Sequence, residues 1–515
     1  MELHLVEICF TLAFLGFTSL LVHLYYLLIW KPRSLRSKLL KQGIKGPPPS
    51  ILYGNIPDMK KIQSAMVTTI ETVEQTQQHH HDCFSKIFPY FKQWIDEYGP
   101  MFTYSTGNIQ LLYVPCDMVK EIGLCTSLNL GKPIYLTKDR GPLFGHGILS
   151  SSGLQWEHQR KIIAPEFYMD KVKGMINIMV KSATPLLKSW ENQIEAGGGI
   201  GHVKVDEDLR SFSADIISKA CFGSNYSRGK EIFLRLRALQ KIMSGRGLLI
   251  GVPGLSYIPT KNNKEMWNLQ KGIRSLILEV VKERQKEKSE MDLLQSILEG
   301  SKNGELGRYS ADDFVVDNCK NIYFAGHETT TTSASWILML LASHPEWQTR
   351  VRDEVIQACD GCLPNVDTIR KMKMLTMVIQ EAMRLYPVAP FVPREVFADM
   401  KFGDIHVPKG VILWIPLLSI HQDPTIWGPD AHLFKPERFA QGIGNACKPP
   451  QAYIPFGIGP RVCVGQNMAM AELKIILALI LSNFSFTLSP QYRHSPSFSL
   501  VIEPRYGIVL LIKKI

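Results

Sequence analysis

The tightest constraint in this chain is PFGIGPRVCVG at 455–465, which holds one cysteine, Cys463, among glycines, a proline and an arginine. A single thiolate acts as a nucleophile or as a metal ligand. A nucleophile of the papain kind needs a base and an orienting group, and distant parts of a chain can supply both, so chain order leaves that reading open. The local pattern F-x-x-G-x-R-x-C-x-G, carried by Phe456, Gly459, Arg461, Cys463 and Gly465, favours a ligand instead. Glycines let backbone approach a large flat object closely and turn N–H groups toward a sulfur anion. The apolar run QNMAMAELKIILALILS follows, and a helix starting there stabilises a thiolate at its N-terminus. Arg461 offers a forked donor suited to a carboxylate.

Those needs match a haem iron with a cysteinate axial ligand and propionates that reach an arginine. At this loop the chain resembles the cytochrome P-450 superfamily, the haem–thiolate monooxygenases. Other stretches agree, in the family's order. Glu381 and Arg384 form E-x-x-R in QEAMRLYP, one helical face apart. The resemblance implies a buried structural cluster of these two with Arg438 of PERF, which lies 25 residues before Cys463. Trp156 and Arg160 form W-x-x-x-R in QWEHQRK, and Arg394 follows in FVPREV. The resemblance gives Trp156, Arg160, Arg394 and Arg461 to the haem propionates, with Phe456 and Gly457 also against the cofactor, heme b (iron-protoporphyrin IX).

FAGHETTTTSA breaks local helix rules, because Gly326 weakens a helix and a run of threonines competes with its backbone bonding. A rule broken inside a helix marks a place to look for function. Ala325 to Thr330 matches the family's A-G-x-E-T-T, which implies a bulge at Gly326 that leaves room for O2. Thr329 is then expected to bond to the bound dioxygen, and Glu328 to relay protons from solvent. His327 occupies the variable position and is expected to pack or to touch the substrate channel.

The remaining organisation is a predominantly α protein with small peripheral β-sheets. Apolar spacing near 3.6 runs through FSKIFPYFKQWIDEYG, QWEHQRKIIAPEFY, PLLKSWENQIE and SLILEVVKERQKEKSEMDLLQSILEG. The longest helix is expected from 310 to 343, with SADD as a capped acidic start. MFTYSTGN, QLLYVP, VILWIP and GIVLLIKK read as strands. Residues 8–30 contain no Lys, Arg, Asp or Glu, and a helix of about 23 residues rises roughly 35 Å, enough to cross a bilayer. The acidic start argues against a cleaved signal peptide.

Lys31, Arg33, Arg36, Lys38, Lys41 and Lys45 follow at once and supply more than half of the net charge of +11. Positive-inside bias places the body in the cytosol. This gives an anchor at 1–30, a basic and proline-rich hinge at 31–50, and a haem–thiolate monooxygenase domain at 51–515. Basic residues are otherwise scattered, so nucleic acid is not an expected partner. Cysteines are dispersed, as in a reduced compartment, and HHHDC (79–83) reads as a polar loop.

Finer matches are KGPPPS–ILYGN with KIQS behind it, NIYFAGHETT, LLASHPEWQ, DMKFGDIHVPKG and GQNMAMAELK. They resemble the plant 72 clan, and most of all its 714 family, whose members oxidise gibberellins and related diterpenoids, some acting on triterpenoid acids. The resemblance implies hydroxylation or epoxidation of a small apolar terpenoid at the endoplasmic reticulum membrane. Electrons come from NADPH through a separate membrane-bound NADPH–cytochrome P-450 reductase, since no dinucleotide fingerprint is evident here. A triterpenoid acid oxidase is the alternative substrate reading, and a haem–thiolate isomerase the alternative reaction. Glu328 and Thr329, both intact, disfavour the isomerase. Pocket walls are expected at 128–148, 317–332, 388–392 and 498–502. Lys138 and Arg140 are weighed as carboxylate binders against the plainer reading of solvated loop charges.

Overall fold

The computed structural model describes residues 2–70, 81–223, 226–245, 250–252, 254, 257–286, 292–303 and 309–515. It begins with an apolar helix, Glu2–Tyr25, which runs through a π turn at Tyr26–Trp30 into the helix Lys31–Leu40. Pro32 has no amide to give the preceding turn, and the wider π turn accommodates the missing bond. Ile8–Leu40 is long enough to cross a membrane, and its most apolar 18-residue stretch is not buried against the body, which suggests membrane anchoring.

The segment assigned to a hinge is more ordered than its composition suggests. Its first part is helical, and Leu35 and Leu39, one turn apart, are buried in a core cluster with Leu112, Val411 and Leu413. Arg36 Nη2 donates to Gly46 O at 2.7 Å, and Asn55 Nδ2 donates to Pro47 O and Pro48 O, which fastens the proline stretch.

The body is helical, as expected. Ala311–Ser343 forms the long central helix, with Ser310 Oγ accepting from the Asp313 amide at its start. It packs against Val205–Phe222 and Gln466–Asn483, and Gln466–Asn483 packs in turn on Met169–Ala196. Nearly every central-helix side chain is buried. Tertiary packing on all sides therefore overrides the weak helix propensity of Thr329 to Thr332. Trp336, fully buried, stacks on Tyr386 with ring centroids 4.2 Å apart, a contact worth ~1 kcal/mol beyond burial.

The four expected strands are present, and those of the largest sheet are mostly buried. Phe102–Thr106 and Ile109–Tyr113 form a hairpin, Phe102 opposite Tyr113, which pairs in parallel with Ile412–Ile415. Val392–Val396 and Leu130–Gly131 complete this five-stranded sheet. Val509–Lys514 sits between Gly201–Lys204 and Phe484–Leu488. One periodic segment is split: Cys83–Ile87 and Pro89–Tyr98 are separate helices, because Pro89 starts a helix readily but pushes Phe88 out of the helical region. Lys261–Lys286 and Leu293–Asn303 are helical, whereas residues 287–291 between them, and His79 and His80 of the histidine run, lie outside the described residues.

Candidate active site

The cysteine loop is built by backbone geometry. Gly457 and Gly459 have φ of 77° and 73°, the left-handed region that glycine enters without penalty. A Cβ on Gly459 would lie 2.0 Å from Gly123 O, whereas one on Gly457 would make only an ordinary contact, 3.8 Å from Arg461 O. The Cys463 amide donates to Phe456 O at 2.8 Å and closes the loop three residues before the helix Gln466–Asn483. Cys463 has an accessible surface, yet burial pushes its thiol up, opposed by the Gly465 amide and Arg160. Both observations hold together if the sulfur faces an internal cavity walled by protein. The N-terminus of the helix does not by itself make the free thiol acidic; a metal ion in the proton's place would.

Cations converge beside this loop. Arg461 stacks over the Trp156 ring at 4.0 Å and donates to Ser151 O. Arg160 Nη1 donates to Val462 O at 2.5 Å, and Arg394 is buried with Pro393 O as its one hydrogen-bond partner among the described residues. Burial lowers Arg394 to about 10. It lowers Arg461 to about 9, helped by Arg394 and Arg160. Lys132, which the sequence reading missed, joins them: burial, then Arg394 and Arg461, hold its amine well below its usual range. No carboxylate of the described residues pairs with any of these four cations. A buried cluster of like charge is costly without an anion, and two propionates beside a cysteine ligand meet that need. The residues therefore fit haem. A cleft lined by Trp156, Arg394, Arg461 and Leu130 opens at this point.

The E-x-x-R group is assembled completely. Glu381 and Arg384 are fully buried, and Arg384 grips Glu381 bidentately through Nε and Nη2 at 2.7 and 2.8 Å. Its other donors go to His421 O, Ala431 O and Leu433 O, so all five N–H groups are used. Glu381 Oε1 also accepts from the Lys435 amide, and Arg438 Nε lies 3.4 Å from it. Arg438 reaches onward to Asp430 and Trp427 O. The cluster thus ties the helix Lys373–Leu385 to the loop that leads to Cys463.

On the central helix, Ala325, Gly326 and Thr329 are accessible although their neighbours are buried. They share one face, so a cavity touches the helix there. Thr329 Oγ1 donates to Ala325 O at 2.5 Å. Glu328 is buried, with Oε1 3.1 Å from Arg237 and 3.7 Å from Arg210, while Oε2 has no hydrogen-bond partner among the described residues. Arg210 also reaches Glu503, whose carboxyl is pushed up by burial and then by Glu328. Arg210, Arg237 and Glu503 come from separate helices and a strand, with no shared motif to flag them. His327 packs on Phe233 at 4.9 Å, and burial lowers its imidazole to about 4, a neutral packing residue.

The expected walls 388–392 and 498–502 meet, since the Ile502 amide donates to Val388 O and Phe391 lies 6.3 Å from Phe498. Lys138 is exposed, as a solvated loop charge should be. Arg140 is not: it is buried and donates to Met243 O at the end of the helix Tyr226–Gly245.

The Cytochrome P450 family model matches residues 71–514. Cytochrome P450 714C2 of Oryza sativa subsp. japonica is 52% identical over 502 residues, covering 96% of each chain. Cytochrome P450 714B3 of Zea mays is 46% identical, covering 99% of this chain and 96% of its own. Cytochrome P450 714A2 of Arabidopsis thaliana is 46% identical over 99% of both. The chain belongs to the cytochrome P450 family, within its 714 family, and is a monooxygenase that uses heme b, O2 and electrons supplied by a reductase.

Proposed function

We propose that this protein hydroxylates or epoxidises an apolar terpenoid, most directly a gibberellin or related diterpenoid, with Cys463 as the residue whose thiolate would hold the haem iron. The observation that carries the site assignment is an accessible Cys463 beside one buried and three partly buried cations that pair with no carboxylate of the described residues. The apolar wall of Val388, Phe391, Val392 and Phe498 suits a fused-ring hydrocarbon skeleton, and the resemblance to the 714 family supplies the gibberellin class. The helix Glu2–Tyr25 and the cations after it support a single-pass anchor in the endoplasmic reticulum with the body in the cytosol. Electrons then arrive from a membrane-bound NADPH reductase.

Haem, when bound, supplies O2 activation for inserting one oxygen atom into a C–H bond or across a C=C bond. The chain does the rest. Trp156, Arg160, Arg394 and Arg461 would hold the propionates. Arg237, 44% exposed at its side chain, links Glu328 to solvent, and the unpartnered Oε2 of Glu328 is free to take and pass a proton. Thr329, at the accessible face beside Gly326, would pass that proton to the cavity once its hydroxyl turns away from Ala325 O, to which it donates.

Two measurements follow from these roles. Thr329→Ala should keep haem but divert most consumed NADPH to hydrogen peroxide, and fully coupled turnover would remove Thr329 from proton delivery. Arg461→Ala should lose haem to a scavenger apoprotein about ten to a hundred times faster, the scale of one charge-assisted hydrogen bond; unchanged transfer would contradict the propionate role. Microsomes containing this protein and a reductase, fed gibberellin precursors beside triterpenoid acids, test the substrate. Oxygenated gibberellins support the proposal, and products from triterpenoid acids alone refute the diterpenoid assignment.

A further inference from the structure

Loop backbone that is buried needs partners for its amides and carbonyls. The segment 142–149, just before the helix Gly153–Ile163, finds them on one stretch of the central helix. Asp317 Oδ2 accepts from the His146 amide at 2.8 Å, Asn318 Oδ1 from the Ile148 amide at 3.0 Å, and Asn321 Oδ1 from the Leu149 amide at 2.8 Å. Asn321 Nδ2 donates back to Phe144 O at 2.8 Å. Lys320 Nζ, paired with Asp317 at 2.8 Å, reaches Pro142 O at 3.4 Å. All four side chains are buried, Asn318 and Asn321 completely. A glycine permits the close approach: Gly145 has φ of 54°, and a Cβ there would lie 2.1 Å from the Asp317 carboxylate. The loop is also held from behind, since Gln159 Nε2 donates to His146 O and Ser150 Oγ to Gly145 O. Asn321 lies one turn before Ala325, so this polar seam borders the accessible face at Ala325, Gly326 and Thr329. Phe144 packs edge-on against Phe324 there, with ring centroids 5.6 Å apart.

We infer that residues 142–149 are a fixed wall of the substrate cavity, not a lid, and that Asp317, Asn318, Lys320 and Asn321 are positioning residues that set which carbon of the substrate is oxidised. Five bonds from one buried helix keep this wall at a constant distance from Thr329, and small displacements of a bound substrate decide which atom reacts. The role in selectivity rests on the monooxygenase site described above; the fixed loop does not.

The test uses the full-length, haem-loaded protein. Hydrogen–deuterium exchange of the parent should find the amides of His146, Ile148 and Leu149 as slow as those of the helix Gly153–Ile163; exchange at the rate of an open loop overturns the proposal without any variant. Asn321→Leu, a change of similar size, removes two of the five bonds. It should speed exchange at 144–149 about a hundredfold, about tenfold for each lost hydrogen bond, and leave the helix Met169–Ala196 unchanged. Asn318→Leu, which removes one bond to the loop, should speed exchange about tenfold and serves if Asn321→Leu does not accumulate. With whichever gibberellin precursor or triterpenoid acid the parent oxidises, either variant should raise the share of minor regioisomers about fivefold, the scale of one lost hydrogen bond. Parent-like exchange in the variants, or parent regiochemistry in a variant whose loop exchanges fast, overturns the proposal. A parent lacking the thiolate-type CO band would instead refute the haem–thiolate reading, and the exchange result would still decide whether the wall is fixed.

Discussion

Cys463→Ala is expected to abolish reductase-dependent product formation and the thiolate-type CO spectrum together. The sulfur is the one anionic donor of its loop, and the surrounding design serves it: the Phe456 carbonyl fixes its amide, Gly457 and Gly459 turn the chain, and Gly465 and Arg160 favour the anion. Alanine leaves each of those features in place and removes only the ligand. Porphyrin retained through the propionate cations would then carry another axial group, with a different spectrum and no electron push. Product formation together with an unshifted spectrum in the variant would contradict the ligand assignment. The check is haem content, CO difference spectrum and product yield on the same sample.

The second large effect concerns stability. Arg384→Leu or Glu381→Leu should each destabilise the folded protein by about 3–5 kcal/mol, because either leaves a charge buried without its partner. The environment makes this severe: both side chains are fully buried, and Arg384 spends every donor on Glu381 or on three loop carbonyls. Against a net stability of about 5–15 kcal/mol, such a loss should leave little haem-loaded protein after expression. Arg384→Lys should fare almost as badly, since an ammonium cannot reproduce the bidentate fork or reach all three carbonyls. The double variant Glu381→Leu, Arg384→Leu should lose less than the sum of the singles, because neither leaves an orphan charge. Thermal inactivation rates and limited proteolysis measure these differences. A single variant as durable as the parent would show that the cluster does not hold the loop to Cys463.

What the sequence made legible was local. Cys463 with its glycines, Glu381 with Arg384, and the Glu328–Thr329 pair lie within single loops or single helical turns, where spacing alone carries geometry. The overall α-helical class was legible too, because most helices keep one apolar face. Lys132, Arg210, Arg237 and Glu503 were not, since each reaches its neighbours only through the packing of separate elements. Two misreadings have physical causes. Six basic residues and four prolines gave 31–50 the composition of a hinge, although Leu35 and Leu39 at i, i+4 were a legible sign of a docked helix. Arg140 looked like a loop charge, but its long side chain buries itself beneath the end of another helix.

The most direct measurement is the CO difference spectrum of the reduced, purified parent protein, taken beside Cys463→His. The parent should show the strongly red-shifted Soret band that a sulfur anion opposite CO produces, and the histidine variant should revert to an imidazole-type band. An imidazole-type band in the parent, or a red-shifted band that survives in Cys463→His, would contradict iron ligation by Cys463.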